Sequence, residues 1–75
     1  MNLSDEELRA KIRSRLIECR KERGLSQLEL ANIIESKPTT VASWEQGLSL
    51  PSIQMFYRLA KYYEKTLEYM YGEKL

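Results

Sequence analysis

Only three residues, Glu35-Ser36-Lys37, separate two stretches with the spacing of short amphipathic helices, 26–34 and 38–46. A link that short does not let two helices lie side by side, so they have to cross steeply. Each stretch carries its own start signal. Ser26-Gln27-Leu28-Glu29 is a complete Ser-x-x-Glu capping box, in which the two side chains satisfy orphan backbone donors. Pro38 opens the second stretch, where its fixed φ suits the first helical turn. Crossing backbones demand a small residue in the middle of the first helix, and Ala31 stands there. Leu30, Ile34, Val41 and Trp44 supply the apolar side that seals the pair onto the rest of the chain. Thr39, Thr40 and Ser43 are left on the outer face of the second helix, which ends at Gly47.

The remainder also reads as helix. Ser4-Asp5-Glu6-Glu7 is a second complete capping box, and Leu8, Ile12, Leu16 and Cys19 follow as one apolar stripe. Gly24 supplies a left-handed stop. After Pro51, residues Ile53, Phe56, Leu59, Ala60 and Tyr63 predict the inner side of a fourth helix. A brief fifth turn is expected from about Thr66 to Tyr71, ending at Gly72. The expected fold is all-α: five short helices in one compact domain over residues 1–75, with its central unit at about 27–46. At 75 residues the chain is near the lower limit for folding without staples, and 43% apolar residues argue against disorder.

Several function classes are disfavoured. No apolar run approaches the roughly 18 residues of a membrane span, and the acidic N-terminal stretch is unlike a signal peptide, so no membrane partner is expected. Cys19 is alone, which rules out an internal disulfide and makes a reducing cytoplasm the expected location. With no histidine, the usual zinc spacings and nucleophile–histidine pairs cannot form. A chain this small has little volume for a pocket beyond its core, so neither an enzyme nor a cofactor, metal or small-molecule substrate is expected. The net charge of +1 points to no partner by itself. Its distribution is uneven: residues 1–25 carry +2, residues 26–51 carry −2 and residues 52–75 carry +1.

In their joint order, Leu16, Cys19-Arg20, Gly24-Leu25-Ser26-Gln27, Leu30-Ala31, Val41, Trp44-Glu45-x-Gly47, Pro51-Ser52-Ile53, Leu59-Ala60 and Thr66-Leu67-Glu68-Tyr69 carry a resemblance. Over residues 16–72 the chain resembles the phage-repressor-like helix-turn-helix domains, the XRE-type family of the lambda and 434 repressors and Cro. The resemblance implies a transcriptional regulator, of the bacterial or phage repressor kind, that binds double-stranded DNA as a dimer and inserts its third helix into the major groove. It implies that Gln27 and Gln46 bind phosphates, and that Pro38, Thr39 and Ser43 occupy base-contacting places, with Thr40 and Lys37 beside them. Arg20 and Glu45 match a structural ion pair tying the first helix to the third. Short members often pair through the last helix. Of the aromatic end, Tyr57, Tyr62, Tyr63, Tyr69, Met70 and Tyr71, some must close the core, but five tyrosines are more than that needs and the surplus fits a homodimer surface.

The departures are equally specific. Glu35 stands where members usually carry glycine, Lys37 where they carry a Ser or Thr cap, and Pro38 where they carry a long polar reader. The loop Gly47-Leu48-Ser49-Leu50-Pro51 has leucines in place of basic residues, so weak DNA binding by the monomer is expected. Blander readings stand beside the sharp ones. Gln27 could be an exposed helix-start residue, Thr39, Thr40 and Ser43 a solvated face, and Lys37 a solvated charge. Arg9, Arg13 and Arg15 lie among glutamates and read by default as solvated pairs, with DNA contact the lesser alternative. Cys19 reads as an inert core thiol and Trp44 as core. The rival reading of the whole is a protein-interaction module that keeps the fold but has lost or weakened DNA binding.

Overall fold

The computed structural model describes residues 4–73, which form five helices and no strand. They are α1 (Asp5–Glu22), α2 (Gln27–Ile33), α3 (Pro38–Glu45), α4 (Ile53–Tyr63) and α5 (Leu67–Met70). Four starts are closed by a hydroxyl: Ser4, Ser26, Ser52 and Thr66 each accept from the backbone N–H three residues on. At Ser4 and Ser26 the box is reciprocal, because Glu7 and Glu29 accept the cap residue's own N–H. Lys37, the cap of α3, makes no such bond.

All five helices stop alike. A left-handed residue is followed by an amide that reaches back five places, as in Leu25 to Arg20, Ser36 to Ala31 and Leu48 to Ser43. Gly24, Gly47 and Gly72 fill the left-handed place in three helices. Glu35 (φ 59°) and Glu64 (φ 57°) fill it in the other two, at a cost of about 1 kcal/mol or more relative to glycine.

The core is built from every helix. Ile12, Leu16 and Cys19 of α1 meet Leu30 and Ala31 of α2, Val41 and Trp44 of α3, the Phe56–Tyr63 face of α4 and Met70 of α5. Ala31 and Val41 are completely buried where α2 crosses α3. The Tyr63 hydroxyl is buried without a hydrogen-bond partner, and burial raises its pKa, so the group stays neutral.

Two expectations need correction, and a third is made specific. Ile53 does not join the inner side of α4; it is 90% exposed, because it opens the helix on the flank of the stripe, ahead of the turn that buries Phe56. Arg15 is not a purely solvated partner of Glu18. Half-buried, it also donates to the Tyr69 carbonyl at 3.0 Å and stacks 4.3 Å from the Tyr69 ring, fastening α5 to α1. The aromatic end is largely consumed within the fold. Tyr63 and Met70 are core, Tyr62 and Tyr69 are half-covered with Arg23 and Arg15 over their rings, and only Tyr57 and Tyr71 remain exposed.

Candidate nucleic-acid interface

The candidate surface is α3 with the residues at its two ends. Its C-terminal end is held by an ion pair of short, two-pronged geometry. Arg20 Nε lies 2.7 Å from Glu45 Oε2 and Nη2 lies 2.9 Å from Oε1. The third contact of the guanidinium, Nη1 to the Leu25 carbonyl at 2.7 Å, ties in the turn between α1 and α2. Gln27 Nε2 then donates to Glu45 Oε1 at 3.0 Å, adding the start of α2. The side chains of the pair are only 13% and 7% exposed, and hydrogen bonding to Glu45 raises the pKa of Arg20 further. A carboxylate at a helix C-terminus is disfavoured by the helix dipole, so Arg20 offsets that as well. Its charge is spent inside the molecule.

The other end of α3 is bare. Lys37 (φ −115°, ψ 146°), Pro38 and Thr39 are exposed, and neither Lys37 nor Thr39 has a side-chain hydrogen bond among the described residues. Gln46, just past the helix, is exposed too. Thr40 and Ser43 are half-buried rather than standing clear of the surface. For Ser43 the cause is visible: the loop after Gly47 folds back, so that Leu48 N–H reaches the Ser43 carbonyl at 3.0 Å and Ser49 Oγ lies 2.7 Å from Ser43 Oγ. Gln27 is likewise half-buried by its bond to Glu45, not a free helix-start residue. The structure therefore gathers Gln27, Arg20, Glu45 and Gln46 at one end of α3, and Lys37, Pro38 and Thr39 at the other.

One residue read as a solvated charge lies at this surface. A side chain at Gly47 would begin 3.7 Å from Arg13 Cδ and 3.9 Å from its Nη1, so Arg13 lies over the residue that follows Gln46. The signal for it was spacing: Arg13 and Arg20 are seven residues apart, two turns along one face of α1, and Arg20 already reaches the end of α3. Cations thus flank α3, Lys37 at its start and Arg13 at its finish. The acidic middle segment is partly neutralised in place. Glu45 is paired with Arg20, and Glu29 is engaged by Ser26, whose backbone and side-chain bonds hold its carboxyl below the usual range. Glu35 is exposed beside the bare end.

Among the described residues no three acidic or cysteine side chains converge as a metal site, and no helix is long and apolar enough to cross a membrane. Against known proteins, the family described as Helix-turn-helix matches residues 16–70. The chain is also similar to Multiprotein-bridging factor 1b of Arabidopsis thaliana, at 28% identity over 60 residues, 80% of this chain. It spans 42% of that relative's length. No solved structure matches.

Proposed function

From its membership of the helix-turn-helix family, of the Cro/C1 type, we propose that the chain is a sequence-specific transcriptional repressor acting on double-stranded DNA as a homodimer in the cytoplasm. α3 enters the major groove, and the two half-sites of the operator lie about 34 Å apart. The observation that carries the reading is the bare end of α3, where exposed Lys37, Pro38 and Thr39 have no internal employment while the opposite end is locked. Thr39 reads a base edge and Pro38 contacts a thymine methyl. Thr40 and Ser43 act from the flank. Lys37, Gln46 and Arg13 hold phosphates, which position without specifying. One N–H of Gln27 is taken by Glu45, which fixes the amide and leaves its second N–H for a phosphate oxygen. The work is binding, with no catalytic step and no cofactor.

The test is selection from a random DNA pool, followed by titration of the enriched sequence over a range of salt. Enrichment of a two-fold sequence, with affinity falling steeply as salt rises, is the expected result. A pool that shows no enrichment even at low salt would end this reading. One observation favours a second reading, a protein-interaction module: the similar plant protein is named a bridging factor. That module would leave the DNA pool unselected.

A further inference from the structure

α4 carries two cations and no acid. Between Ile53 and Tyr63 the charged residues are Arg58 and Lys61 alone, in a chain that is balanced overall to +1. The inner side of the helix is taken by Phe56, Leu59, Ala60 and Tyr63, which leaves Tyr57, Arg58, Lys61 and Tyr62 on the flank that faces the end of α2. On that flank each cation stands four residues from a tyrosine, Lys61 from Tyr57 and Tyr62 from Arg58, so charge and ring alternate on neighbouring turns. The opposite wall is the stop of α2, where Ile33 is 43% exposed and Glu35 is exposed too. An open groove of about 400 Å³ lies between the two walls. Neither cation is neutralised there. Arg58 Nη1 donates to the Ile34 carbonyl at 3.2 Å, which fixes the guanidinium against α2 but brings no formal negative charge. Among the described residues the ion pairs are Arg15–Glu18 and Arg20–Glu45, so Arg58, Lys61 and Glu35 each line the groove without a counter-ion.

We propose that this groove binds an acidic segment of another protein, seating one large apolar side chain against Ile33 and the tyrosines while flanking carboxylates meet Arg58 and Lys61. Arginine and tyrosine are among the residue types that carry most of the energy of interfaces. A guanidinium already held on one edge also presents its other edge to a carboxylate as a fixed fork. Charge complementarity chooses the occupant. A purely apolar partner would cover two cations without supplying a counter-charge. A nucleic-acid backbone is negative along its whole length, so it would set phosphates against Glu35 as well as against the cations. A peptide avoids that conflict, because it places a carboxylate beside α4 and a backbone N–H beside Glu35. The groove uses none of the residues assigned to DNA, so the site stands whether or not α3 reads a base sequence.

Selection of short random peptides displayed on phage, with the full chain as bait, tests the site. The enriched sequences are expected to hold two or more carboxylates around one aromatic or branched aliphatic residue. A synthetic copy of one of them shifts the backbone amide resonances of residues 33–35 and 57–62, and its affinity falls as salt rises. Lys61→Glu, at an exposed position, keeps the helical spectrum of the wild type but weakens that peptide at least tenfold, because like charges then meet. Arg58→Lys keeps the charge and loses the fork, so it weakens the peptide less. Arg9→Glu makes the same reversal at an exposed position of α1 outside the groove, and binds the peptide as the wild type does. A selection that enriches nothing, or only basic or uncharged sequences, overturns the proposal. So does equal impairment of Lys61→Glu and Arg9→Glu, which would make the effect one of net charge. Random duplex DNA that shifts the same amides and is lost with Lys61→Glu, while no acidic peptide is enriched, gives the groove to nucleic acid and overturns it too. Acidic peptides that depend on Lys61, in a protein that selects no DNA sequence, support this site and remove the repressor.

Discussion

The two ends of α3 are built by opposite means. At Glu45 three other groups, the Arg20 guanidinium, the Leu25 carbonyl and the Gln27 amide, join one nearly buried network that spans α1, α2 and α3. At Lys37 the chain enters the helix with no side-chain cap, while the other four helices in the structure each have a hydroxyl there. A rod fixed at one end keeps its angle to the body, and the other end is free to meet something else. Stability and exposure are thus divided along eight residues of one helix.

The largest effect should come from breaking the fixed end. Arg20→Ala leaves Glu45 nearly buried without its cation, which costs about 3 kcal/mol, as removal of one partner from a buried pair does. Urea unfolding at neutral pH measures it. Arg20→Lys keeps the charge but not the two-pronged fork, so it should lose less. Replacing both partners, as in Arg20→Met with Glu45→Leu, should recover much of the loss, because the penalty lies in the orphaned charge more than in the missing attraction. A double variant no more stable than Arg20→Ala would show the network to be worth more than its desolvation.

The bare end should respond in the other direction. Lys37 already has the extended backbone of a cap residue, so Lys37→Ser can close α3 and should add about 1 kcal/mol of stability. The same change removes a cation from the proposed DNA surface, and the logarithmic salt slope of binding should shrink by about 0.9 per chain. A more stable protein with a shallower slope is the expected pair of results. Unchanged salt dependence would mean that Lys37 is only a solvated charge.

The difference between the ends also explains what could be read in advance. Helix starts were legible because a capping box is local chemistry: Ser26 and Glu29, or Ser4 and Glu7, are three residues apart and complete in themselves. The partners Arg20 and Glu45 are 25 residues apart, so no local pattern joins them, and only the family resemblance did. Ser43 was misjudged as fully outward for the same reason. Its cover comes from a loop folding back through Ser49, and helical periodicity says nothing about loops. For Arg13 the solvated reading was preferred to DNA contact because its neighbour, Gly47, has no side chain to pattern with. Glu64 takes a left-handed conformation at a position that nothing in its neighbourhood marks as a glycine site.

Glu35 sharpens the contrast with a smaller change. It sits at the left-handed stop of α2, just before the bare end, with φ 59°. Glu35→Gly should relieve the strain and gain about 0.5–1 kcal/mol, net of glycine's extra entropy in the unfolded chain. For a domain of this size that is roughly 2–8 °C in melting temperature. It also removes a carboxylate from beside the proposed phosphate contacts, so stability and DNA affinity should rise together. Lower affinity would place Glu35 in contact with something other than phosphate.

The smallest effect concerns acid, and it belongs to the capped starts alone. The carboxyls of Glu7 and Glu29 lie below the ordinary value of 4.5, chiefly because each accepts the backbone N–H of its own cap residue, Ser4 or Ser26. A folded-state pKa lower than the unfolded one means the charged form favours the fold. That contribution is complete above about 4.5 and is lost as pH falls through the lower folded values. An amide oxygen at either site accepts the same bond without titrating, so Glu7→Gln combined with Glu29→Gln should retain the boxes at every pH. The urea midpoint of the wild type should therefore fall further between about pH 7 and about pH 3 than that of the double variant. Equal falls in the two midpoints would show that the capping boxes are not the source of the acid sensitivity.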